Sequence, residues 1–263
     1  MRTNVTGEAA EAGEAPLRPL SARSVVLSLL LGAHPPELPV KDLIGLVEPF
    51  GIGGSTLRAA LSRMVAAGDL RRTDAVYGLS DRLLARQRRQ DEALHPRTRA
   101  WDGDWEMVLI TATGRGPAER ADLRGRLTTL RLAELREGVW LRPANLDRTL
   151  PHGLREVAVT CVARPDEPAR DLVTRLWPLD TWAAGARSLL AHASAAHHPA
   201  GRLTVYAAAV RHLLADPVLP PALLPPGWPG DTLRRAYAEY RRELATSSGL
   251  GDGAGKDRPS ARS

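Results

Sequence analysis

The chain has 263 residues, 43% hydrophobic content and a formal net charge of +6, enough apolar material for a real core and enough length for two or three domains. A single cysteine, Cys161, excludes an intrachain disulfide framework and a cysteine-rich metal site. No apolar run reaches the roughly eighteen residues of a membrane span, and the first twenty residues, with Glu8, Glu11 and Glu14, lack the apolar centre of a signal peptide, so a cytoplasmic protein without membrane contact is expected.

Residues 1–18 are small, acidic and unpatterned, and 246–263 are rich in Gly and Ser, so both ends are expected to be disordered. Ser21 to Gly32 (SARSVVLSLLLG) carries Val25, Val26, Leu29 and Leu30 at helical spacing, and Gly32 is placed to stop the helix. After HPPELP, the segment Val40 to Phe50 repeats the pattern through Leu43, Ile44, Leu46 and Val47, and Pro49 and Gly51 end it. GIGG then reads as a turn, with Ser55 as N-cap of a third helix. On that helix Leu57, Ala60, Leu61, Met64 and Val65 share one face, while Ser55, Thr56, Ala59, Ser62 and Arg63 share the other and Arg58 lies on the flank. Small residues and arginine on an outer face let a helix lie close in a DNA major groove, where arginine reaches guanine edges or phosphates.

A basic hairpin follows, Leu70 to Arg72 and Ala75 to Leu79, with Thr73 and Asp74 at its tip and Arg71 and Arg72 placed to meet phosphates. Ser80 is expected to cap a fourth helix running to about Leu94. Residues 58 to 89 hold eight arginines against Asp69, Asp74 and Asp81, a local excess of five of the chain's six net charges. Arg82, Arg86, Arg88 and Arg89 within this stretch read as a solvated or acid-paired face. Residues 19–96 therefore read as a winged helix-turn-helix, with Ser55, Thr56, Arg58, Ser62, Arg63, Arg71 and Arg72 as the DNA-binding set.

His95 and Pro96 mark a boundary. Beyond it, Trp105 to Thr113 reads as a buried strand and Pro117 to Leu132 as a helix with Leu123, Leu127 and Leu130 on one face. Glu137 to Pro143 reads as a strand preceded by a short partner at Arg131 to Leu135, Asn145 as the cap of a brief helix to about His152, and Glu156 to Ala163 as a last strand. The order strand, helix, strand, strand, helix, strand makes 97–165 a ferredoxin-like α+β domain. From Asp166 the pattern is helical, broken by Pro199 and by the apolar, proline-rich Asp216 to Gly230, and it ends in an amphipathic helix over Leu233 to Leu244. Residues 166–245 thus form a helical C-terminal domain, and the whole chain an α+β protein.

No catalytic set is legible. His192, His197 and His198 lack a fourth partner for a metal, GRGPAER after Gly114 has neither the GxGxxG spacing nor a Walker lysine, and Cys161 sits in an apolar strand where it reads as a small buried hydrophobe. The expectation is a protein that is not an enzyme and holds no metal.

Four pieces carry a resemblance in the same order: FGIGGSTLRAALSRMVAAGDL (Phe50 to Leu70), WDGDWEMVLI (Trp101 to Ile110), GVWLRP (Gly138 to Pro143) and DPVLPPALLPPGWPG (Asp216 to Gly230). Together they resemble the PaaX family of bacterial transcriptional regulators over roughly residues 20 to 245. The resemblance implies a repressor that binds a double-stranded DNA operator and whose central domain is similar to that of Cas2 proteins. It further implies control of aromatic-acid catabolism genes, with no cofactor but an acyl-CoA effector such as phenylacetyl-CoA. The chain departs from the pattern at Val210, where relatives often carry tryptophan before the arginine, and Phe50 is its sole phenylalanine. Cations for the phosphates of a coenzyme A ester and an apolar slot for its acyl part single out Trp105, Trp140 and Arg142 beside the central sheet. A homodimer is expected, since one winged helix covers only a short half-site. The resemblance to Cas2 also raises a metal-dependent nuclease as the alternative. Those enzymes place an aspartate at the end of the first strand, where this chain has Leu109, Ile110, Thr111, Ala112 and Thr113.

Overall fold

A computed structural model of the chain describes residues 20–247. The expected disordered N-terminus, 1–18, and all but the first two residues of the 246–263 tail lie outside the described residues. The first unit runs α1 (Ala22–Gly32), β1 (Glu37–Pro39), α2 (Val40–Val47), α3 (Gly54–Ala66), β2 (Leu70–Thr73), β3 (Val76–Leu79) and α4 (Asp81–Leu94). Its three strands pair antiparallel in the order β1-β3-β2, which makes a winged helix-turn-helix. The Ser21 hydroxyl accepts from the Ser24 N–H and caps α1.

Two corrections concern α3 and the wing. The helix starts at Gly54 with Gly53 as N-cap, so Ser55 lies in its first turn and caps nothing. At its other end Gly68, at φ +69°, closes a Schellman motif: its N–H donates to Val65 and that of Asp69 to Met64. The hairpin turns at Asp74 and Ala75, one residue later than the sequence suggests, with Asp74 in the left-handed region at φ 54°.

The central unit comprises β4 (Trp105–Ile110), α5 (Pro117–Thr129), β5 (Ala133–Arg136), β6 (Val139–Pro143) and β7 (Ala158–Ala163). The strands pair antiparallel in the order β5-β6-β4-β7, the ferredoxin-like order. Pro117 opens α5, and the Glu119 carboxylate accepts from the Gly116 N–H at 2.9 Å. The expected helix after Asn145 is absent. That stretch runs extended, with Leu146 bridging to Thr98, and is helical only as a single 3-10 turn at His152–Leu154. Asn145 is buried and turned inward, so it cannot cap anything. Cys161 is likewise corrected: β7 is an edge strand, and its Val159, Thr160, Cys161 and Val162 are exposed.

The remaining helices are α6 (Ala169–Leu176), α7 (Leu179–Ala195), α8 (Pro199–Leu214) and α9 (Gly230–Ser247), so the last begins and ends three residues outside the expected span. α6 packs on one face of the central sheet through Leu172 and Val173, beside Trp105 and Leu141. The opposite face is covered by α5 through Leu123 and Leu127, beside Val108 and Trp140. α7, α8 and α9 instead share one continuous core with the winged helix: Leu203, Tyr206, Leu213 and Leu233 lie in the same cluster as Leu30, Leu43 and Leu61. Among the described residues no helix is long and apolar enough to cross a membrane.

Candidate nucleic-acid interface

The buried side of α3 is set by Leu57, Ala60, Leu61 and Met64, none more than 3% exposed. With that stripe fixed, the helical period puts Ser55, Thr56, Arg58, Ala59, Ser62 and Arg63 outward, and all six are exposed. The Arg58 guanidinium folds back along the helix, and a Cβ on Gly54 would meet its Nη1 at 3.4 Å. Among the described residues neither Arg58 nor Arg63 is drawn into an ion pair. The outer face therefore offers two uncommitted guanidinium groups between hydroxyls and a methyl.

The two wing arginines differ. Arg71 reaches Asp81 at 3.2 Å, a pair exposed at both ends that gives little stability and yields readily to a phosphate. Arg72 donates from Nε to the Asp74 carbonyl at 2.7 Å and lies 5.8 Å from the centroid of the Tyr77 ring opposite it in the sheet. Arg72 is thereby held along the wing.

One residue that sequence reasoning treated only as an opposing charge organises this surface. Asp69 is 2% exposed. Its carboxylate accepts from Arg23 of α1, at 3.1 Å from Nε and 2.6 Å from Nη2, and from Arg82 of α4. Its backbone N–H ends α3, and its carbonyl accepts from Ser80. The end of α3, the wing, α1 and α4 are therefore tied at one point. Arg82 is consumed there, as an acid-paired arginine.

The three residues singled out for an effector do not form a ligand surface. Trp105 is 1% exposed and Trp140 5%, and they lie on opposite faces of the central sheet in separate clusters. Arg142 is fully buried and spends its N–H groups on the chain itself: Pro143, Arg131, Pro217 and Val218 carbonyls and the Asn145 side chain. Burial, reinforced by the Arg148 charge, pushes its guanidinium down to about 9. This is a structural junction. Val218, a β-branched residue at φ 50°, is held there by the two donors on its carbonyl and by Asp216, whose Oδ1 accepts from its N–H at 2.9 Å. Asp216 also accepts from Arg234 of α9 at 2.6 Å, and Arg234 donates to the Ala93 carbonyl of α4 at 3.0 Å. The Asp-Pro-Val sequence thus joins all three units. The sequence signal for it is the DP dipeptide at the head of the proline-rich segment.

Among the described residues no group of three or more His, Cys, Asp or Glu side chains is gathered as a metal site. His192 engages the Ser188 carbonyl at 2.8 Å, one turn back on its own helix. β4 ends at Ile110 and runs into Thr111 and Ala112, so no carboxylate occupies the position a Cas2-like nuclease would use.

Three stretches match families of known proteins: 21–83 a PaaX-like protein family, 98–164 the PaaX protein central Cas2-like domain, and 179–249 the PaaX-like protein C-terminal domain. A solved structure described as the uncharacterized protein Rv0674 from Mycobacterium tuberculosis is 50% identical, with a TM-score of 0.78 over 88% of this chain and 98% of that chain. No curated protein matches the chain.

Proposed function

Because the chain belongs to the PaaX-like family, we propose that it is a DNA-binding transcriptional regulator, a repressor of an aromatic-acid catabolic operon that an acyl-CoA effector releases from its operator. The observation that carries this reading is the outer face of α3, exposed from Ser55 to Arg63, beside the basic limb of the wing. In the complex α3 lies in the major groove. Arg63 reads base edges with Ser62, Ser55 and Thr56 beside it, Arg58 braces the helix or meets a phosphate, and Arg71 and Arg72 hold the backbone. Phosphate contacts supply most of the affinity and set the register, while the few α3 side chains supply the choice of sequence.

The reading includes a homodimer. A single recognition helix covers one half-site, and two-fold pairing supplies the second at a fixed spacing. The edge strand β7, with Val159 53% and Val162 65% exposed, is the surface a second copy would cover. The regulator reading is tested by footprinting the protein on DNA upstream of its own gene. Protection of two symmetric half-sites about one helical turn apart, or a multiple of it, is the expected result. Protection no better than that of unrelated DNA contradicts it.

A further inference from the structure

Between the winged helix and the C-terminal helices lies a solvent-accessible cavity of about 590 Å³, walled by α1 and α4 on one side and α8 and α9 on the other. Its volume lies within the range of small-molecule sites, about 300–1,000 Å³. Three of the chain's four tyrosines, Tyr206, Tyr237 and Tyr240, line it. Tyr206 and Tyr240 stack at 4.2 Å and 14°, and Tyr237 tilts against Tyr206 at 6.1 Å. In a chain of 4% aromatic content, that is a concentrated aromatic wall, suited to an apolar or aryl group.

The charged lining is one-sided. Arg23, Arg86, Arg211 and Arg241 all border the cavity, and Glu37 is the one carboxylate among its described lining residues. Arg23 is committed to Asp69, and Arg241 to the Gly32 carbonyl and His34. Arg86 and Arg211 have no ion-pair partner among the described residues. Burial holds Arg86 below the usual guanidinium range, and its charged neighbours Arg211, Arg23, Arg89 and Arg82 all push the same way. Arg86 and Arg211 are both exposed at the border of the cavity, so water screens part of their mutual repulsion, and a bound anion relieves what remains.

We infer that this cavity is the regulator's ligand site and that its ligand is a small organic anion, with the anionic group on Arg86 and Arg211 and an aromatic or aliphatic body against Tyr206 and Tyr240. The inference rests on the regulator reading only in calling the ligand an effector. The anion is either a free carboxylate or the phosphates of a thioester carrier. A ligand there touches α1 and α4 of the winged helix together with α8 and α9, and α1 and α4 are tied through Asp69 to the recognition helix. Binding that favours one arrangement of these helices over another therefore biases DNA affinity, as coupling between two sites requires.

The test is calorimetry on the full chain without DNA, with phenylacetate, phenylacetyl-CoA and coenzyme A alone as probes. Phenylacetate or phenylacetyl-CoA is expected to bind once per chain, and which of the two binds tells a carboxylate from a carrier's phosphates. Arg86→Ala with Arg211→Ala is expected to weaken that binding by at least about tenfold, the loss of one or two charge-assisted hydrogen bonds, and the corresponding lysine pair to restore part of it. Ala207→Phe, which fills the cavity and keeps every charge, is expected to abolish binding, with thermal melting checking that each variant is folded. Failure of both phenylacetyl probes at millimolar concentration overturns the inference. So do variants that bind as the parent does, and so does coenzyme A alone binding as tightly as its thioester. A protein that takes up a probe yet binds no DNA sinks the regulator reading and leaves the site standing.

Discussion

Asp216→Asn probes the junction that ties the three units together. The substitution keeps the shape of the side chain and an acceptor for the Val218 N–H, but removes the charge that faces Arg234 Nη2 at 2.6 Å. Asp216 is 1% exposed and Arg234 13%, so water screens the pair little. Removing one partner of such a buried pair costs about 3–5 kcal/mol. Arg234 retains the Ala93 carbonyl and a 3.3 Å contact with the exposed Asp231, which places the cost near the lower end, about 3 kcal/mol. Asp104→Asn is the comparison, because Asp104 also faces an arginine at 2.6 Å, but in a pair 66% and 34% exposed. Pairs open to water in this way contribute little to stability. Urea denaturation followed by far-ultraviolet circular dichroism measures both, and calorimetry should place the Asp216 variant about 6–12 °C lower in melting temperature. Equal losses for the two variants would refute the reasoning, since burial at the junction would then count for nothing.

Gly185→Ala sets helix propensity against packing. Alanine gains about 1 kcal/mol in a helix interior, but its Cβ would lie 2.8 Å from Cε1 of His212. That ring is pinned by its stack on Trp182 and its bond to the Trp182 carbonyl, so overpacking of about 1–3 kcal/mol should win and thermal melting should fall; a rise would show that the ring moves freely. Leu61→Ala, at a fully buried position on the inner face of α3, should cost about 2–5 kcal/mol in urea denaturation; a loss below about 1 kcal/mol would mean that α3 is poorly packed. Val162→Lys, on the exposed face of β7, should leave the fold intact and give a monomer by light scattering where the parent gives the proposed dimer, and a variant with the parent's dimeric mass would place the contact elsewhere.

Local signals carried much of the winged helix. Leu57, Leu61 and Met64 recur at the period of a helix whose other face is small or charged, and the chain folds so that this stripe is buried. β1 escaped the same reasoning because it is three residues long, flanked by prolines, and exists only through its pairing with β3. Ser55 looked like a cap because serine prefers that position, but two glycines before it let the helix begin earlier. Cys161 looked buried because its strand is apolar, and only the sheet order reveals β7 as an edge. Arg142, Asn145 and Asp216 were least legible. Arg142 and Asn145 depend on Pro217 and Val218, 73 to 76 residues away in the chain, and Asp216 on Arg234 of α9, 18 residues on, which no local pattern encodes. The cavity between α1, α4, α8 and α9 is equally non-local, since Arg86 and Arg211 come from different units.

The central claim is that α3 reads DNA sequence while the wing holds the backbone, and competition gel shifts with Arg63→Ala and Arg72→Ala on the protein's own upstream DNA test it most directly. Arg63→Ala should weaken specific binding by about 1–3 kcal/mol and narrow the gap between specific and unrelated DNA. Arg72→Ala should weaken binding to both alike and lower the salt slope by about one. Unchanged affinity and unchanged discrimination in both variants would contradict the account.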